Sequence, residues 1–293
     1  MFSVVMSTYT RERVNDVRRC IESLYNQTLK PHEIILVLDP DDELVKFYKR
    51  ELSDLDVKIV KSDKYGLSSA RNKGIEVAES DLIAFIDDDA YADRRWLENI
   101  SRNFNDESVW VVGGRIIPVF DSKRPKWLCE ELDWIIGCTY KGMPEDKCEV
   151  RNPIGANMAF RKEVFNLVKF EERMGRYGKV LMGSEETELC IRLKKKRPDV
   201  KILYDPSAVV YHRVPKERAK ILYALRRAFY EGVSKALIKE LKTERYYLKF
   251  LAKSMLNKIV KLRFTEAFGM LLIILTVAIG YWYGKFYIKI QES

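Results

Sequence analysis

Asp81–Ala90 reads DLIAFIDDDA: five consecutive apolar residues, Leu82 to Ile86, run straight into the three carboxylates Asp87, Asp88 and Asp89. An apolar run this short, closed by turn-favouring acids, predicts a strand buried on both faces. The surroundings repeat the pattern. Phe2–Met6, Ile34–Leu38, Val57–Val60 and Val109–Val112 read as further strands, and Val14–Tyr25, Glu43–Leu52, Ser68–Ala78 and Trp96–Phe104 carry helical periodicity between them. Strands alternating with helices of this length predict an α/β domain whose parallel sheet is covered on both faces. Such sheets bind ligands beyond the carboxyl ends of their strands, where Asp87 to Asp89 would lie.

Three adjacent carboxylates repel one another and are relieved by a cation, and oxygen ligands favour a hard ion such as Mg²⁺ or Mn²⁺. A solvated acidic turn has the same letters; the strand in front of it is what singles this triplet out. Asp39 ends the second strand in ILVLDPDD, and Glu185-Glu186-Thr187-Glu188 opens a predicted helix, where acids also serve simply to complement the helix dipole. His212, one of two histidines, closes the apolar run Val209–Tyr211 and is consistent with a structural residue as well as with a ligand. From Gly113 the alternation gives way to a stretch rich in Trp, Pro and Cys, expected to be an insertion or lobe laid over the sheet. A strand over Val200–Tyr204 and a turn at Asp205-Pro206 follow helical signals from Glu185.

The composition of the 293 residues, 47% hydrophobic and 32% charged, excludes a disordered or fibrous chain. The net charge of +9 is local: residues 213–263 hold 15 Lys and Arg against 4 Asp and Glu, while residues 1–212 hold 35 against 37. A basic stretch of this kind faces a polyanion, either nucleic acid or an anionic membrane. The adjoining uncharged run Ala267–Gly284, about 27 Å long as a helix, favours the membrane and no nucleic acid, although a buried core helix is also consistent with its length. Trp282 and the flanking tyrosines suit an interface. Before that run, Leu248, Leu251, Met255, Ile259 and Leu262 recur at helical spacing, with Lys249, Lys253 and Lys261 on another face, as in a helix lying in a membrane surface. Lys249, Lys253, Lys258, Lys261 and Arg263 precede the apolar run and only Lys285 and Lys289 follow it, which predicts a single-pass span with a cytoplasmic N-terminal domain. The opening MFSVVMSTYTRE lacks the basic and long apolar regions of a signal peptide. The five cysteines, without a C-x-x-C pair, argue against a disulfide frame or zinc site and suit a reducing compartment.

Seven segments in order, SVVMSTYTRE (3–12), QTLKPHEIILVLD (27–39), GLSSARNKGIEVA (66–78), DLIAFIDDDA (81–90), GANMAFRKEVF (155–165), SEETELCIRL (184–193) and YDPSAVVYHRV (204–214), resemble the family 2 glycosyltransferases of the GT-A fold. The likeness covers roughly residues 2 to 213. Within that family ELDWIIGCTYKG (131–142), EVRNPIGAN (149–157) and SEETELC (184–190) look like archaeal transferases that add a glucuronosyl residue to a lipid-linked sugar in N-glycan assembly. The resemblance implies a catalytic domain over 1–212, while the charge and hydropathy pattern predicts basic amphipathic membrane-surface helices over 213–263 and a transmembrane segment and tail over 264–293. It implies that Tyr9 and Asp39 hold a nucleotide base, Leu38 replacing the first member of the family's Asp-Asp pair. Arg71 would line the nucleotide pocket, and Asp87 and Asp88 would face the ribose and sugar. Ser7, Thr8, Glu12 and Asn157, in the same matched segments, complete the expected nucleotide-sugar set. Asp89, with Asp87 and His212, would bind Mn²⁺ or Mg²⁺. Glu185 and Glu186 stand at the family's Glu-Asp pair, whose second member is the usual base and is here a glutamate.

The implied chemistry is the displacement of a nucleoside diphosphate, most simply UDP, from a sugar. A divalent ion stabilises the charge appearing on the leaving group, a carboxylate takes the proton of the attacking hydroxyl, and the anomeric centre inverts. A lipid phosphate acceptor, already ionised, would barely need that base, so a functional Glu186 favours a hydroxyl of a lipid-linked (dolichyl phosphate) saccharide over a synthase that charges the lipid phosphate itself. A non-catalytic nucleotide-binding membrane scaffold is the alternative outside enzymes. A uronic acid donor would call for an arginine, with Arg151 and Arg115 as candidates. Trp127, Trp134 and Tyr140 suit either a sugar or polyprenyl platform or a lobe core.

Overall fold

The computed structural model describes residues 1–175, 181–238 and 242–291. In chain order its strands are β1 (Phe2–Thr8), β2 (Glu33–Leu38), β3 (Lys58–Lys61), β4 (Leu82–Ile86), β5 (Ala90–Ala92), β6 (Val109–Phe120), β7 (Cys148–Glu149), β8 (Asn157–Arg161) and β9 (Lys201–Val214). Its α-helices are α1 (Val14–Tyr25), α2 (Asp42–Glu51), α3 (Leu67–Val77), α4 (Trp96–Asn103), α5 (Val164–Leu167), α6 (Glu185–Lys196), α7 (Ile221–Ile238), α8 (Lys242–Val260) and α9 (Phe264–Gln291). The chain divides into two compact units. The first holds 1–117, 144–175 and 185–212; the described parts of the second are 118–143, 181–184, 213–238 and 242–291.

In the first unit the strand order is β3-β2-β1-β4-β8-β6-β9-β5. The expectation of a parallel sheet holds only for β3, β2, β1 and β4. Beyond β4 the sheet turns antiparallel at β8 and again between β8 and β6 and between β9 and β5, so the sheet is mixed. β1 shows why both faces are filled. Val4 and Met6 enter one apolar layer with Val17, Ile21 and Leu24 of α1, Tyr48 of α2 and Trp96 of α4, while Val5 enters another with Ala70 and Ile75 of α3 and Leu189 and Leu193 of α6. Alternate residues of one strand thus commit to opposite layers.

Two further expectations change. The segment after Gly113 is not simply an insertion: β6 continues to Phe120 and the chain returns to the sheet as β8, and a 3₁₀ helix over Glu130–Ile136 belongs to the second unit. The turn expected at Asp205-Pro206 does not break the chain either; β9 runs through it as one strand, with the Asp205 carboxylate accepting from the Ser207 N–H at 2.9 Å and the Ser207 hydroxyl at 2.6 Å.

In the second unit α8 packs inward through Tyr247, Leu251, Ser254 and Lys258. Tyr247 donates its hydroxyl proton to the Glu131 carbonyl, Ser254 donates to the Glu131 carboxylate at 2.6 Å, and Lys258 pairs with Glu131 at 3.1 Å and Glu266 at 2.7 Å. This corrects the expected membrane face of α8. Leu251 and Lys258 are buried, whereas Leu248, Ile259 and Leu262 remain exposed. Residues 292 and 293 of the expected tail lie outside the described residues.

Candidate active site

The parallel register aligns the ends of the strands that carry the acids. Thr8 pairs with Leu38, Val5 pairs with Phe85, and the Asp39 N–H donates to the Thr8 carbonyl at 3.4 Å, so Tyr9, Asp39 and Asp87 all leave the sheet at its carboxyl edge. On the far side β5 pairs with β9 so that Ala90 faces His212. Asp89 precedes Ala90, and the ladder therefore delivers His212 to the acidic loop.

Asp87, Asp89 and His212 each offer a ligand atom within 4.8 Å of the others. The His212 Nε2 lies 3.2 Å from Asp89 Oδ1 and 3.7 Å from Asp87 Oδ2. Asp88 and Asp89 are buried, and Arg13, just before α1, reaches both: it hydrogen-bonds Asp88 and stands 3.4 Å from Asp89. Burial pushes the Asp88 carboxyl up to about 6 against the pull of Arg13, with the Asp89 charge adding to the rise. Desolvation also works to raise Asp87, but its His212 hydrogen bond and the Arg71 charge outweigh it and leave this carboxyl below its ordinary value.

Arg71, buried on α3, is the second hub. It donates to Glu185 Oε1 at 2.6 Å and to the Gly155 carbonyl at 3.2 Å, and lies 3.7 Å from Asp87 Oδ1. Glu185, the first residue of α6, is buried in this bond, whereas Glu186 is only half-buried. The two differ by about 100° around a helix of 3.6 residues per turn, so they point in different directions. Asp87, Asp88, Asp89 and Glu185 set four carboxylates against the guanidiniums of Arg13 and Arg71. Two aspartates and an imidazole in an electronegative loop fit a hard or borderline divalent cation.

The remaining expected residues divide. Tyr9 is 59% exposed at the end of β1, with the Arg13 guanidinium 5.4 Å from its ring centre. Asp39 is half-buried; burial raises its carboxyl, and the Gly66 N–H, donating at 3.3 Å, partly offsets this. Ser7 is half-buried and Thr8 buried in β1, and Glu12 is exposed, its N–H donating to the Thr10 hydroxyl at 3.3 Å. Asn157 stands apart. Its amide oxygen accepts from Trp96 Nε1 at 2.8 Å and its amide nitrogen donates to the carbonyls of Ala208 at 2.8 Å and Arg115 at 3.0 Å. Fully buried, with both N–H donors spent, it fastens β8 to β6 and β9. Arg13 was not singled out in the sequence, although it directly follows the matched segment ending in Glu12; its one signal is a cation five residues past the end of β1, at a strand edge that faces acids.

Residues 3–168 match the profile of Glycosyl transferase family 2. The chain belongs to that family. As a family 2 glycosyltransferase it is a transferase of GT-A fold, and its relatives agree. It is 31% identical over 240 residues to a glucosyl-dolichyl phosphate glucuronosyltransferase of Haloferax volcanii, covering 80% of this chain and 76% of that protein. It is 35% identical over 121 residues to the amylovoran biosynthesis glycosyltransferase AmsE of Erwinia amylovora, covering 40% and 46%. It is 27% identical over 169 residues to a pre-mycofactocin glycosyltransferase of Mycobacterium tuberculosis, covering 57% and 34%.

Proposed function

We propose that this glycosyltransferase moves a sugar, glucuronic acid from UDP-glucuronate as the first choice, onto a saccharide carried by dolichyl phosphate, by one inverting displacement. The single observation that carries the reading is the convergence of Asp87, Asp89 and His212 within 4.8 Å at the carboxyl edge of the sheet. A divalent cation bound there would offset the charge developing on the departing diphosphate. Tyr9 and Asp39 hold the base, with Ser7, Thr8 and Glu12 beside them. Arg71 fixes the loop of Asp87 relative to α6 and so orients the helix that carries the base. Glu186, at the second position of the family's acidic pair, is the group that takes the acceptor proton.

The acceptor class rests on the Haloferax relative, whose name pairs a glucuronosyl donor with glucosyl-dolichyl phosphate. Arg151 is the better candidate for the uronate carboxylate. It and Glu186 both act electrostatically on the buried Cys190 thiol, which burial drives well up, so guanidinium and base share one neighbourhood. Arg115 lies exposed on β6. The second unit supports attachment to a membrane: α9 contains a stretch, Phe264–Tyr287, long and apolar enough to cross one. The catalytic unit would then work at the cytoplasmic face, in N-glycan or surface-glycan assembly.

The test is to incubate the purified full-length protein with labelled UDP- and GDP-sugars and either a dolichyl-phosphate-linked glucose or bare dolichyl phosphate, with and without EDTA. Transfer of glucuronate to the saccharide, abolished by EDTA and restored by Mn²⁺ or Mg²⁺, supports the proposal. Equal turnover after metal removal sinks the metal-assisted mechanism, and charging of bare dolichyl phosphate with Glu186→Gln fully active makes the enzyme a lipid-phosphate sugar synthase instead.

A further inference from the structure

α9 is packed along one side for most of its length. Near its start a Cβ on Gly269 would come within 2.6 Å of the Trp127 carbonyl oxygen. Towards its end a Cβ on Gly280 would overlap the Phe229 carbonyl, one on Gly232 would overlap the Val277 carbonyl, and one on Gly284 would come within 2.9 Å of the Ala236 Cβ. These contacts run in the same direction along both helices, Phe229 to Ala236 of α7 beside Gly280 to Gly284 of α9. α7 and α9 are therefore a close parallel pair, and the Gly-x-x-x-Gly of α9 already has its partner within the chain.

The opposite side of α9 is bare. Phe268, Leu271, Leu275, Ile279, Trp282 and Phe286 are all 42% or more exposed. At spacings of three and four residues they form one apolar stripe about 27 Å long. Exposed lysines stand on α8, Lys249 and Lys253, and Lys261 and Arg263 stand in the turn before α9. An uncharged stripe, in a unit that also exposes these cations, complements the acyl chains and anionic headgroups of a lipid surface.

A spanning α9 conflicts with what α7 carries. Glu231 pairs with Arg227 at 2.8 Å and Lys235 at 3.1 Å, the Ser184 hydroxyl donates to Glu231 at 3.4 Å, and the Gly183 N–H donates to the Ser234 hydroxyl at 3.3 Å. Gly280 lies only about 7 Å beyond the middle of the apolar stretch at 1.5 Å per residue. If α9 crossed a bilayer, this stretch of α7 would share its depth, and three ionised side chains with an irregular backbone segment would enter the hydrocarbon.

We infer that α9 does not cross the membrane but lies in the plane of one leaflet, its Phe268–Phe286 stripe among the acyl chains of an anionic lipid surface and both of its ends on the same side of the bilayer. The inference rests on the membrane attachment proposed above and replaces the single-pass topology expected from the sequence. Its partner is the lipid surface itself.

Membrane vesicles sealed with the cytoplasmic face outward and carrying the full-length protein, tagged at either terminus, are treated with protease without detergent. The expected result is loss of both tags at similar rates. A C-terminal tag protected until detergent is added overturns the in-plane placement while leaving attachment intact; a protein wholly in the soluble fraction overturns attachment and this inference together. In a second arm the purified full chain is mixed with preformed vesicles of phosphatidylcholine alone or with added phosphatidylglycerol. Flotation should rise several-fold with the anionic lipid and fall at least several-fold in Leu275→Glu/Ile279→Glu, whose donor hydrolysis stays at the wild-type level. Flotation unchanged by the double substitution overturns the role of the stripe.

Discussion

Arg71 donates to the Glu185 carboxylate at 2.6 Å while standing 3.7 Å from Asp87, and so joins the loop after β4 to the first turn of α6. Of two adjacent glutamates, Glu185 is buried in this pair and Glu186, the proposed base, is half-buried.

Glu186→Gln should lower kcat by about 10²- to 10⁴-fold, the usual worth of a general base, with little change in the KM for the donor. Glu185→Gln should act differently. Removing one partner of a buried pair costs about 3–5 kcal/mol, so thermal unfolding should fall markedly. Steady-state kinetics and calorimetry on both variants separate the roles; equal kinetic losses at equal stability contradict the division.

Asn157→Ala strips hydrogen bonds from Trp96 and from two carbonyls in the sheet interior. Each buried group left unsatisfied costs about 1–3 kcal/mol, and the variant should melt well below the wild type. Assayed well below that melting point it should bind the donor normally. A large rise in the KM for the donor with unchanged melting would return Asn157 to the nucleotide-sugar contacts expected from the sequence.

Chelation should abolish transfer, and Asp89→Asn should weaken Mn²⁺ binding by an order of magnitude or more in isothermal titration, since a second-row removal alone costs about 10- to 100-fold and Asp89 would touch the ion. Undiminished Mn²⁺ affinity in that variant would remove Asp89 from the metal site.

Glu131 in the second unit is held at about 2, where burial would raise it but the bonds from Ser254 and Lys258 prevail, against 4.5 for an ordinary glutamate. A carboxyl lowered on folding adds stability that is complete above about pH 4.5 and is lost as the pH falls toward 2. Lys258→Met strands that carboxylate and should cost about 3–5 kcal/mol near neutral pH. The penalty should shrink on acidification as Glu131 takes up a proton. Unfolding curves of both proteins between pH 7 and 3 check this, and a penalty independent of pH contradicts it.

The parallel half of the sheet was legible because its strands are short, mostly apolar runs and its helices keep their period; Val14–Tyr25 matches α1 residue for residue. The antiparallel half was legible only in the pieces Val109–Val112 and Val200–Tyr204. β8 is Asn-Met-Ala-Phe-Arg, too short and too polar at its ends to show a period, and β6 carries Gly113, Gly114 and Pro118, which read as breakers. Gly114 is there because a side chain would meet the Asn157 amide at 2.5 Å and overlap the Ala208 carbonyl, a constraint set by distant residues. The acidic loop and His212 were legible as chemistry, since their residue types are rare in such places. Arg13 was not, because an arginine before a helix has many dull uses and only the fold shows which acids it meets. Asn157 is the converse case: a polar residue in a matched segment reads as a contact, and only the structure reveals that its amide bonds to three neighbouring elements.

The pairing of Ala90 with His212 has a consequence for the folding of the domain. β5 is three residues long, and this short ladder brings β9 to the acidic loop. Asp89 and His212, separated by more than a hundred residues of chain, are thus joined in space across a ladder of three residue pairs. An ion gripping both would act as a rivet across it, and occupancy of the site would be written into the melting temperature as well as into the rate.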